Sequence, residues 1–71
     1  MLFEDIGTTF SEFALERRLE AARSMLTSPR YKAWSVAQIA LEAGFGDVSY
    51  FNRRFKRRFL MTPTEVRATA G

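Results

Sequence analysis

Apolar residues recur along this chain at spacings of three and four, and no stretch sustains the alternation of a half-buried strand, so the pattern predicts an all-helical fold. Glycine and proline divide it at Gly7, Pro29, Gly44, Gly46 and Pro63. Leu15, Leu19, Ala22 and Leu26 form a stripe at steps of four, three and four, which predicts a helix from just after Thr9 to about Leu26. Phe10 and Phe13 lie near its start, off the stripe. Glu16 repels Glu20 while Glu20 attracts Arg23; such pairs are worth only tenths of a kcal/mol, so packing must hold this helix. Thr27, Ser28 and Pro29 end it. Arg30 to Trp34 form a connector, with Trp34 expected to lid the core.

The following segments carry sharper punctuation. Ser35 with Gln38 three residues later is a capping box, and Val36, Ile39, Ala40 and Ala43 give the helix it starts an apolar face. Ala40 and Gly44 suit a tight helix crossing, the small side chain admitting the neighbouring helix and the glycine taking a left-handed turn position. Gly44 to Asp47 reads as the turn, and Asp47 as the cap of a helix from Val48 to about Phe59. In that helix Phe51, Phe55 and Phe59 share one stripe, while Ser49, Asn52, Arg53, Lys56 and Arg57 share the other side. A last short helix opens at Thr62, with Pro63 at its first position and Glu65 as a capping-box acid, and closes over the phenylalanines with Val66. Short helix, glycine turn and basic helix in that order predict a helix-turn-helix of homeodomain-like form.

Charge gives the second helix a direction. Residues 1–46 hold five cations against six anions, whereas residues 47–71 hold six cations against Asp47 and Glu65, with five cations packed into Arg53 to Arg58. That focused field is the footprint of phosphate binding. Seventy-one residues make one small domain at most. Without cysteine there is no disulfide or thiolate metal site, and without histidine the usual general base is missing. No enzyme, metal or cofactor is therefore expected. No apolar run approaches the ~18 residues of a membrane span, and the start is too charged for a signal peptide, so the expected setting is cytoplasmic, with no membrane partner.

Ile39, Ala40, Gly44, Phe45, Ser49, Tyr50, Phe51, Phe55, Lys56, Pro63 and Arg67 fall at the spacing of the signature of the AraC/XylS family of bacterial transcription regulators, and the chain resembles that family's DNA-binding domain. The resemblance extends through Phe3, Gly7, Phe10, Phe13, Arg18, Leu19, Ala22 and Leu26. By it, residues 1–9 are the remnant of a first helix-turn-helix, residues 10–28 the linker helix, and residues 35–71 a second helix-turn-helix with its closing helix. The chain departs from the family at Leu60, where glycine is usual, and at Val66, where an aromatic is usual. A leucine in the left-handed region costs roughly 1 kcal/mol or more, so either the turn is strained or the helix ends differently.

Double-stranded DNA is the expected partner. The first turns of a recognition helix reach base edges and later cations reach phosphate. Val48, Ser49, Asn52 and Arg53 are the base-edge candidates: Arg53 suits guanine, Asn52 adenine and Val48 a thymine methyl. Arg54, Lys56, Arg57 and Arg58 are the phosphate candidates. Tyr50 has two open readings, packing or a phosphate hydrogen bond; Arg18 has two as well, a structural ion pair or a phosphate contact, the structural one favoured. RNA polymerase is a further candidate partner. Two other readings remain: a self-associating fragment, homodimeric through Leu2, Phe3, Ile6, Phe10 and Phe13, and charge-only binding of nucleic acid.

Overall fold

The computed structural model describes the backbone of residues 2–70 and the side chains of residues 11–70. Among the described residues, four α-helices follow in chain order: α1 (Leu2–Leu26), α2 (Val36–Glu42), α3 (Val48–Phe59) and α4 (Pro63–Ala70), with a 3-10 turn at Pro29–Tyr31 between the first two. The all-helical expectation holds. The expected start of the first helix after Thr9 does not, since α1 runs unbroken from Leu2. Gly7 inside a helix costs about 1 kcal/mol relative to alanine but removes no hydrogen bond, so unlike proline it does not force a stop.

The core forms where the apolar faces of all four helices meet. From α1 come Leu19, Ala22 and Leu26, from α2 Ile39 and Ala40, from α3 Phe51 and Phe55, and from α4 Val66, all buried. Phe51 and Phe55 are 0% exposed, and the aromatic chain from Phe45 through Phe51 and Phe55 to Phe59 keeps centroid separations of 4.9, 5.4 and 4.6 Å. These tilted pairs add roughly 0.5–1.5 kcal/mol each to simple burial. Trp34 lies half-buried on the core, with its ring edge-on to Tyr31 at 4.9 Å, as the expected lid. Phe13 stands off the core at 58% exposure. The side chains of Leu2, Phe3, Ile6 and Phe10 lie outside the described residues.

Helix ends are closed by their own side chains. Ser35 and Gln38 make the expected capping box: the Gln38 amide donates to Ser35 Oγ at 3.1 Å and the Ser35 amide to Gln38 Oε1 at 2.8 Å. Thr62 and Glu65 repeat it at α4, with distances of 2.8 and 3.1 Å. Beyond α3, Leu60 adopts φ 63° and ψ 17°, the left-handed conformation, and is 83% exposed. Of the two readings of this turn, the strained one is correct. The departure at Val66 does not undock α4, because Pro63 and Val66 are both buried and Arg67 Nη2 donates to the Tyr31 carbonyl at 3.1 Å.

Candidate nucleic-acid interface

The α2–turn–α3 unit is set by two contacts of the turn. The Phe45 amide donates back to the Ala40 carbonyl at 2.9 Å, and Gly44 takes φ +108°, a region side-chain-bearing residues rarely adopt. A Cβ at Gly44 would lie 3.2 Å from Arg18 Nε and 3.3 Å from its Cδ. Arg18 of α1 thus lies against the turn, and among the described residues it makes no ion pair within 4 Å. Phe45 then plugs the core.

Asp47 fixes the start of α3. Its Oδ1 accepts from the Ser49 amide at 2.9 Å and the Tyr50 amide at 3.2 Å, satisfying two donors that the first turn of a helix leaves unpaired. The carboxylate also meets the positive end of the helix dipole. With Phe51 and Phe55 turned inward, the helical period turns Ser49, Arg53, Lys56 and Arg57 outward, all exposed. Asn52 is exposed at one edge of this face, and Val48 is half-buried beside it. Asn52, Arg53, Lys56 and Arg57 line a shallow concavity completed by Thr62. The sequence patterns did not point to Thr62, because its position beside α3 depends on the left-handed turn at Leu60.

Two phosphate candidates make ion pairs with α1. Arg58 Nε donates to Glu16 Oε2 at 2.6 Å, its Nη2 to Glu20 Oε2 at 3.2 Å, and its guanidinium lies 4.8 Å from the Phe59 ring centroid. Arg54, half-buried, approaches Glu12 at 3.8 Å. Both belong to the flank of α3 that faces α1, apart from Lys56; Arg57 lies between the two faces, lining the α1-side concavity with Arg54 and Arg58 as well as the outer one. The period of α3 alone could not reveal this, because which flank is covered depends on the angle at which α1 crosses.

The Tyr50 ring packs on Phe45 at a centroid distance of 6.5 Å while remaining 39% exposed, and the Arg53 guanidinium sits 6.0 Å from its centroid. That distance is at the limit for a cation–π contact, so it biases the Arg53 side chain without immobilising it. Among the described residues, Arg53, Lys56 and Arg57 make no ion pair within 4 Å.

A capped helix laid across a tight glycine turn, with a polar and cationic outer face, defines a helix-turn-helix DNA-binding fold. Comparison with known proteins makes the class more particular: the chain matches the helix-turn-helix domain family over residues 1–69 and belongs to it, in its AraC type. Among similar proteins, the transcriptional activator RhrA of Rhizobium meliloti (strain 1021) is 44% identical over 69 residues, 97% of this chain and 22% of its own. The HTH-type transcriptional regulator CdhR of Pseudomonas aeruginosa is 42% identical over 63 residues, 89% of this chain and 18% of its own. The urease operon transcriptional activator of Escherichia coli is 39% identical over 61 residues, 86% and 20% respectively. The chain thus spans about a fifth of the length of these curated relatives. No solved structure matches it.

Proposed function

We propose that α3 is the reading helix of a sequence-specific transcription regulator and enters the major groove of double-stranded DNA, with Val48, Ser49, Asn52 and Arg53 at base edges and Lys56 and Arg57 on phosphate. The observation that carries this reading is the outward face of α3, where polar side chains occupy the capped end and unpaired cations follow one to two turns later. An α-helix fits the width of the major groove, and its N-terminal turns come closest to the bases. Arg53 can donate twice to a guanine edge, and Asn52 can pair with adenine. Phosphate contacts farther along fix the register and carry no sequence information. In this reading α1 is the linker helix that braces the unit. The names of the relatives, transcriptional activators and a transcriptional regulator, support an action on transcription by the whole protein; a cytoplasmic setting and RNA polymerase as a partner belong to the same proposal.

Titration of a random-sequence duplex across salt, followed by selection of preferred duplexes from the same pool, tests the proposal. A sequence preference that outlasts rising salt is expected. Binding without any preference and with a steep salt slope would replace this reading with charge-only binding.

A further inference from the structure

Five cations lie along α3 between Arg53 and Arg58, yet they do not share one environment. Three carboxylates at successive turns of α1, Glu12, Glu16 and Glu20, face Arg54 and Arg58. The strongest of these contacts converge on Arg58, held by Glu16 at 2.6 Å and Glu20 at 3.2 Å while its guanidinium also lies over Phe59. Arg23 of α1 also stands 5.4 Å from the same ring centroid, so Phe59 is approached by cations of two different helices. Arg58 is thus held by two ionic partners and one aromatic partner, on the α1 flank and away from Arg53 and Lys56, with Arg57 at the border between the two faces.

We propose that Glu16 and Glu20 are specificity-determining residues, which remove Arg58 from the cations available to charge-only DNA binding. The proposal rests on the reading of α3 given above. In the base-reading pose only the outward cations lie near phosphate, and Arg58, on the α1 flank, contributes nothing. In poses that ignore the bases, orientation is unconstrained and every accessible cation adds affinity by releasing counterions. Specificity is the difference between the two kinds of pose, so a cation useful only in the wrong ones lowers it. Pairing Arg58 with two carboxylates neutralises it, and their remaining negative charge repels a phosphate backbone approaching from that side. A hydrophobic residue at position 58 would avoid the excess cation but would leave the α1 carboxylates without a partner.

The test measures the binding of random-sequence 20-base-pair duplexes by fluorescence anisotropy across salt, for four proteins: the wild type, Glu16→Gln/Glu20→Gln, Arg58→Ala, and the three substitutions combined. The paired glutamine substitutions keep size and helix propensity. They should steepen the salt slope by about one unit and tighten binding about fivefold at ~0.1 M salt, because one more cation becomes available. Arg58→Ala in the wild-type background should leave the slope unchanged, whereas in the glutamine background it should cancel the added slope, leaving only the part of the affinity gain that comes from the lost carboxylate repulsion. If circular dichroism shows that the paired variant has lost its helices, Glu16→Gln alone, which removes the shorter contact, is expected to move the slope in the same direction. A slope that the glutamine variants leave unchanged overturns the inference while leaving DNA binding intact. So does a slope that flattens by one unit on Arg58→Ala alone, since Arg58 would then already be contacting phosphate. Failure of every variant to bind duplex even at ~20 mM salt would overturn the DNA reading of α3 and the inference with it.

Discussion

Leu60 carries a backbone conformation that its side chain opposes. At φ 63° its Cβ crowds the carbonyl that follows, and at 83% exposure it recovers little by burial. Leu60→Gly should therefore stabilise the fold by up to about 1 kcal/mol, less the extra freedom of glycine in the unfolded chain. Because ~1 kcal/mol moves the midpoint of a domain of this size by about 4–8 °C, a thermal melt reads it directly. A lowered midpoint would mean that Leu60 makes a contact outweighing its strain. Gly44 is the opposite case: Gly44→Ala should destabilise by about 1 kcal/mol or more, because φ +108° is costly for any side chain. Arg18→Ala clears the space around the new Cβ but leaves the dihedral, so it should not rescue the variant; full recovery in a denaturant melt would make crowding and not backbone strain the cause.

At the scale of elements, the caps explain why three of the four helices were legible in the sequence. Ser35, Asp47 and Thr62 each announce a start through a side chain that must lie near the backbone it caps, and α2, α3 and α4 begin immediately after them. The start of α1 was misplaced because the chain there offers Gly7 and two threonines, which weaken a helix without ending it. The phenylalanine stripe was legible from period alone, and so was the outward polar face. The positions of Arg54 and Arg58 were not, because a charge pattern within α3 does not say which flank another helix covers. The cap of α4 also yields a pH dependence. The Thr62 amide, and then its hydroxyl contact, hold the Glu65 carboxyl below its usual range, with a smaller contribution from the charge of Lys56. A carboxyl lowered in the folded state contributes stability that is complete above its ordinary pKa and is lost as pH falls through the lowered value. Glu65→Ala should thus be less stable than the wild type at pH 7, with the difference shrinking as urea melts are taken below about pH 4. A constant difference across that range would mean that the carboxylate charge plays no part in the cap.

For the whole molecule, α3 has three sectors: an apolar stripe that joins the core, a flank paired with α1, and an outer face proposed to read DNA. The first follows from burial and the second from ion pairs, so the third is the claim most in need of a direct measurement. That measurement is the selection of preferred duplexes from a random pool, combined with salt titration, for the wild type, Arg53→Ala and Lys56→Ala. Arg53→Ala should relax the preference at one base pair and weaken binding to the preferred duplex by about 1–3 kcal/mol. Lys56→Ala should keep the preference, weaken binding to all sequences alike, and lower the salt slope by about one unit. Identical changes in preference and slope from the two substitutions would contradict a base-reading outer face.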